Sequence, residues 1–140
     1  MRAFPVVYAT DVERTARFWE RLGFSRYFQL PEEGAPGYVG LRRADPEAAV
    51  VGEVGIVAET VVAEVAVIAA QWPKDQYGVD VGSGPRFEMF VYVAHVDDLI
   101  GELRAEGVSV LRDAADMPWG ERVGFIADPD GNPVALANKA

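Results

Sequence analysis

Residues 4–24 (FPVVYATDVERTARFWERLGF) lie over residues 88–108 (EMFVYVAHVDDLIGELRAEGV) without a gap. Val7 meets Val91, Tyr8 meets Tyr92, Val12 meets Val96 and Gly23 meets Gly107. A chain that repeats itself must fold the same way twice, so this register constrains the architecture more than any single motif. Each copy opens on a β-branched and aromatic run, which reads as a strand. Each then changes period. Val96, Leu99, Ile100 and Leu103 fall at i, i+3, i+4 and i+7, one apolar stripe of a helix, and Val12, Ala16, Trp19 and Leu22, at i, i+4, i+7 and i+10, make the stripe of the first copy. Thr10 followed by Glu13 has the spacing of a capping box, which predicts a helix start at Thr10. Gly23 and Gly107 stand where a helix end needs a residue that tolerates positive φ.

Strand-like runs follow each helix: SRYFQL (25–30), GYVGLRR (37–43) and VVGEVGIVAE (50–59) in the first half. In the second half they are VSVLRD (108–113), ERVGFIAD (121–128) and PVALAN (133–138). Each half therefore reads as strand, helix, three strands. The segment 128–133, DPDGNP, closes the last hairpin, with Gly131 free to take positive φ. VAEVAVIAA (62–70) nearly repeats VGEVGIVAE (51–59), and periodicity leaves strand extension and short helix both open there. Pro73, Gly78, Gly82, Gly84 and Pro85 mark 71–86 as a linker without regular structure. One domain is expected, with a βαβββ unit over 1–70, the linker over 71–86 and a second βαβββ unit over 87–140.

Composition narrows the function classes. At 140 residues, half of them hydrophobic, the chain can bury a core without staples, and the absence of cysteine excludes disulfides and thiolate ligands. A net charge of −9 argues against nucleic acid, whose phosphates need a basic patch; it would favour a cationic ligand, but on charge alone a solubilising acidic surface is the preferred reading. The most apolar stretch, 48–72, is interrupted by Glu53, Glu59 and Glu64, so no membrane span is expected. The opening MRAFPVVYATD has no apolar run of signal-peptide length, which points to a cytoplasmic protein. Ser25, Ser83 and Ser109 have no recognisable histidine partner, and GSGP (82–85) lacks the lysine of a phosphate loop.

The duplicated unit, ending in DMPWGERVGFIADPDGNPVALA (116–137), resembles the vicinal oxygen chelate superfamily, which holds glyoxalase I, extradiol dioxygenases, fosfomycin-modifying enzymes and bleomycin resistance proteins. The resemblance covers both halves, with PWGERV and DPDGNP its most specific part. It implies an α+β fold in which two tandem βαβββ units form an open, curled mixed β-sheet barrel with a ligand cleft, and it implies a homodimer.

The enzymes of that superfamily hold a divalent metal with His and Glu side chains from the first and last strands of both units. Mapped through the repeat, the first position falls at Phe4, the third at Glu88 and the fourth at Ala135. The second falls somewhere in 51–59, where Glu53 and Glu59 are candidates. Phenylalanine and alanine cannot coordinate a metal, and two carboxylates without imidazole make a weak site at best. No metal and no other cofactor is therefore expected, which places the chain nearest in type to metal-free bleomycin-resistance-like members. His95, the sole histidine, stands at the start of the second helix, where a surface or capping role is expected.

The candidate ligand-binding residues are Phe4, Tyr8, Glu88, Phe90, Tyr92, Trp119 and Ala135, with no catalytic and no metal-binding residue. Phe28 and Tyr38 are further strand-borne aromatics. Aromatic faces bind flat ligands and attract cations. Glu88 could recognise a cationic group, or could form a structural ion pair with Arg86. The expectation is a protein that sequesters a partly aromatic, cationic small molecule such as an antibiotic. The alternative is a metal-dependent glyoxalase- or dioxygenase-like enzyme with displaced carboxylate ligands.

Overall fold

A computed structural model describes residues 3–51 and 57–140. The chain divides into two compact units, Met1–Val81 and Gly82–Ala140. The first contains β1 (Val6–Ala9), α1 (Val12–Arg21), β2 (Ser25–Leu30), β3 (Tyr38–Val51), β4 (Val57–Ala69) and α2 (Trp72–Tyr77). The second contains β5 (Met89–Tyr92), α3 (Val96–Ala105), β6 (Val110–Asp116), β7 (Glu121–Ala127) and β8 (Pro133–Lys139). Each unit builds one four-stranded mixed sheet, in the orders β1-β4-β3-β2 and β5-β8-β7-β6. The opening strand of each unit runs parallel to the closing one, and the other pairs are antiparallel. The α+β fold class and the twofold strand–helix–three-strand order are those expected from the repeat.

Period-2 alternation sends one set of side chains from each sheet toward its helix. In the first unit Val7, Val39, Leu41, Val65 and Val67 are buried together with Val12, Ala16, Phe18 and Trp19 of α1. Trp19 is clasped edge-on by Phe18 and Phe24, each with ring centroids 5.4 Å away. In the second unit Val91, Ile126, Val134 and Leu136 are buried with Val96, Ile100 and Leu103 of α3. Gly124 lets the helix approach closely, since a Cβ there would overlap Ile100 Cδ1. Gly23 and Gly107, with φ of 89° and 90°, end α1 and α3 as expected.

Three local expectations need correction, and His95 keeps the surface half of its expected role, being exposed. The cap of α1 is Asp11, not Thr10: Asp11 Oδ1 accepts from the Arg14 amide at 3.0 Å. Glu13 serves arginines, accepting from Arg26 at 2.7 and 2.9 Å and from Arg17 at 3.1 Å. His95 holds the N-cap position of α3 without a side-chain capping bond. Asn138, on β8, accepts from the Val96 amide at 2.8 Å, so the cap comes from the sheet. The closing strand of the first unit is 57–69 rather than 50–59, which settles 62–69 as strand. The segment read as a linker contains α2, with Pro in its first turn and Gly78 in the left-handed region at its end. The Trp72 ring fills the space above Gly37, which fastens α2 to the first unit.

The DPDGNP turn is held from within. Asp128, only 4% exposed, accepts from the Asp130 amide (3.0 Å), the Asn132 amide (2.8 Å) and Asn132 Nδ2 (2.9 Å). Asn132, fully buried, accepts at its own Oδ1 from the Arg86 amide at 2.9 Å. Asp128→Ala strands several buried donors, and we expect it to cost about 3 kcal/mol in denaturant unfolding. A loss below about 0.5 kcal/mol, the range of ordinary surface substitutions, would contradict this account of the turn.

The Arg26 hydrogen bonds hold the Glu13 carboxyl below its ordinary range, against partial desolvation. A lowered folded-state value means stabilisation that is present above the unfolded value and lost as pH falls through the folded one. Between about pH 6 and about pH 3, Glu13→Gln should lose less stability than the parent chain. Identical acid slopes in the two proteins would refute the coupling.

Candidate ligand-binding site

Each sheet has a second face, turned away from its helix. In the second unit the row Val91–Leu136–Gly124 lies under α3, because Ile100 rests on Gly124. The neighbouring rows therefore point the other way: Phe90–Ala135–Phe125 and Tyr92–Ala137–Val123. Val123, Ala135 and Ala137 form a closed floor, with Met117 and Phe125 packed against it. Phe90 and Tyr92 stand beside that floor with ring centroids 5.4 Å apart, tilted at 49°. They are 45% and 57% exposed, whereas Ala135 is fully covered. Alanine at 135 and 137 keeps the floor low enough for the flanking rings to stand proud of it.

A carboxylate shares this face. Glu121 lies on β7 in phase with Val123 and Phe125, and the Tyr92 phenol hydrogen-bonds it across β8. That hydrogen bond raises the Tyr92 pKa, helped by desolvation and by the negative charge beside the ring. Among the described residues, Glu121 Oε2 is buried with no hydrogen-bond partner. Glu88 stands one residue before β5 and is exposed. The Arg86 guanidinium reaches Asp130 at 3.8 Å and the Gly82 carbonyl at 3.1 Å. Trp119 is 62% exposed in the turn between β6 and β7.

The first unit presents a corresponding face. Arg26, opposite Leu41, pairs with Glu13 and Glu20 of α1, so the Leu41–Val65 row lies on the helix side. Tyr8, Ile68 and Tyr38 form a row on the other side, next to Val6, Ala66 and Gly40. Phe28 packs edge-on to Tyr38 at 5.7 Å. The Tyr27 ring covers Gly40, and the Arg42 guanidinium stacks on that ring at 3.7 Å while its Nε bonds Glu64 at 2.8 Å. Tyr8 hydrogen-bonds Tyr77 of α2, and Phe4 is half-buried two residues ahead of β1.

Of the expected site residues, the structure brings Phe90, Tyr92 and Ala135 together on one face of the second unit. Phe4 and Tyr8 belong to the first unit. Sequence reasoning missed Glu121, although its alternation with Val123 and Phe125 was a usable signal. It also missed Tyr27 and the Arg42–Glu64 pair, which a bulge in β2 and a cross-strand register bring together. Two depressions of the first unit lie elsewhere. One of ≈ 320 Å³ is lined by Arg26–Gln29 and Glu32, and one of ≈ 330 Å³ lies between Thr10, Gln71 and Asp80.

Strand pairing also corrects the second metal-equivalent position. Phe90 pairs with Ala135, and Val6, its counterpart through the repeat, pairs with Ala66. The position matching Ala135 is thus Ala66, not a residue of 51–59. Of the four positions that correspond to the metal ligands of the superfamily's enzymes, Phe4, Ala66 and Ala135 offer no donor and Glu88 offers one, and this set does not fit a divalent metal. Glu53 lies outside the described residues. Among the described residues no group of three or more His, Cys, Asp or Glu side chains could hold a metal ion.

Residues 3–136 match the model of the glyoxalase/bleomycin resistance protein/dioxygenase superfamily, and the chain belongs to it. The solved structure of a glyoxalase-related enzyme from Fulvimarina pelagi is similar with a TM-score of 0.69 and 24% identity, over 98% of this chain and 87% of that one. TioX from Micromonospora sp. ML1 gives a TM-score of 0.66 and 20% identity, over 100% and 97% of the two chains. A bleomycin-binding protein solved with bleomycin gives 0.54 and 19%, over 100% and 99%. No curated protein sequence matches the chain. At these identities the likeness shows the fold.

The Tyr92–Glu121 contact is measurable. Tyr92 should titrate above an ordinary tyrosine, because a hydrogen-bonded carboxylate opposes formation of the phenolate. In Glu121→Gln its value should fall back toward that of a free phenol, followed by NMR of the ring carbons. An unchanged Tyr92 titration in the variant would contradict the contact.

Proposed function

We propose that this chain is a binding protein of the glyoxalase/bleomycin resistance type. It sequesters a partly aromatic, cationic small molecule without metal chemistry. The observation that carries this reading is the helix-free face of the second unit, where Phe90 and Tyr92 stand exposed beside the buried Ala135. Exposed rings beside an apolar floor suit a flat ligand, and a carboxylate at the edge suits positive charge. Of the expected ligand-binding set, Phe90, Tyr92 and Ala135 form this platform, Trp119 supplies a further exposed ring and Glu88 a further carboxylate. Phe4 and Tyr8 hold the matching places in the first unit.

The donor set supports a role without a metal, because three of the four family positions carry Phe4, Ala66 and Ala135. An enzyme with displaced ligands would have to build its centre from Glu88 with Glu53 or Glu59. The net charge of −9 further favours cationic over anionic ligands. Among the described residues no helix is long and apolar enough to cross a membrane. A cytoplasmic homodimer is the assembly we expect to carry out this role.

Bleomycin, with which one similar structure was solved, is the first ligand to try. Calorimetric titration of the chelator-treated protein should give a dissociation constant of about 1 μM or tighter, weakened roughly tenfold in Phe90→Ala. No heat from bleomycin would remove it as the ligand. Binding that appears only after a divalent metal is restored would overturn the metal-free role.

A further inference from the structure

We propose that Glu121 and Tyr92 form the polar anchor of the second unit's helix-free face, receiving a nitrogen cation carried on a flat ring. This rests on the binding role proposed above and names the group that would recognise the charge.

Three independent features converge on this pair. The first is placement: Glu121 lies on the same face as Val123 and Phe125, in a row adjoining the apolar floor. The second is unused capacity, since Glu121 Oε2 is buried and, among the described residues, accepts no hydrogen bond. A carboxylate oxygen withdrawn from water without a donor is costly, and an N–H from a bound cation would repay that cost. The third is the aromatic setting. Tyr92 bonds the carboxylate and fixes its orientation, and the Phe90 and Tyr92 rings stand 5.4 Å apart. Ring faces beside a carboxylate satisfy an amidinium or ammonium in two ways at once, by cation–π attraction and by a charge-assisted hydrogen bond.

The cations of this region leave the anchor available. Arg122 alternates with Glu121 and points to the other face, where Asp97 holds it at 2.6 and 2.9 Å and Asp116 at 3.1 Å. Lys139 stands opposite Glu121 in the ladder with an exposed side chain. Arg112 lies opposite Phe125 and is exposed as well.

Benzamidinium and its neutral counterpart benzamide separate the possibilities, observed by amide NMR on the full chain. Benzamidinium should shift the amides of 90–92, 121–125 and 135–137 and bind at least roughly fivefold tighter than benzamide, as a charge-assisted hydrogen bond requires. In Glu121→Gln that preference should vanish. Equal binding of the two probes to the parent chain would overturn the anchor and leave the aromatic binding face standing, and this comparison needs no variant to fold. Survival of the preference in Glu121→Gln would do the same. If neither probe shifts those amides, the binding role of the face falls, and the anchor with it.

Discussion

The parallel pairing of the opening strand with the closing strand governs everything else in each unit. β1 lies on β4 and β5 lies on β8, so residues from the two ends of a unit become neighbours. A parallel pair needs a crossover, and the chain supplies one through a helix and two intervening strands. That helix covers one face of the sheet, and the hydrophobic core follows. The opposite face has no helix, and what it displays is fixed by the alternate residues of the paired strands. In the second unit those residues are Phe90 and Tyr92 against Ala135 and Ala137.

Chemistry on such a face depends on which alternate residues carry donors. A metal centre needs several imidazole or carboxylate groups converging from the paired ends. At the corresponding places this chain has Phe4, Ala66, Glu88 and Ala135. Small and aromatic residues there turn a potential coordination site into an apolar platform. The carboxylate of interest sits one row away, at Glu121, under the Tyr92 phenol. In the role proposed above, the platform and its acidic edge serve to recognise a ligand.

Much of this was legible before any coordinates. The gapless repeat gave the two units, both long helices and their glycine ends, because these depend on local period and on φ at single residues. The DPDGNP hairpin was legible for the same reason. Position 135 could be placed from that turn, and its chemistry is the letter itself. What could not be read depends on pairing between distant segments. The first unit's closing strand lies within an apolar run of almost uniform character, so its register is set by hydrogen bonding to β1 and not by composition. That is why Glu53 and Glu59 looked like site candidates and Ala66 did not. Asn138 as the cap of α3, Arg26 as the partner of Glu13 and Tyr92 as the partner of Glu121 are likewise products of tertiary contact. α2 is not legible because its proline and glycine read as linker residues, while Trp72 seated on Gly37 ties this six-residue helix to the first unit.

The proposed role requires that this face recognise a ligand without a coordinating metal. Calorimetric titration of the chelator-treated chain with Ni²⁺, Zn²⁺, Mn²⁺ and Fe²⁺ tests it most directly. The account predicts no stoichiometric site with a dissociation constant below about 100 μM, as expected for a lone carboxylate without imidazole. A one-to-one site of about micromolar affinity that disappears in Glu88→Gln would contradict it.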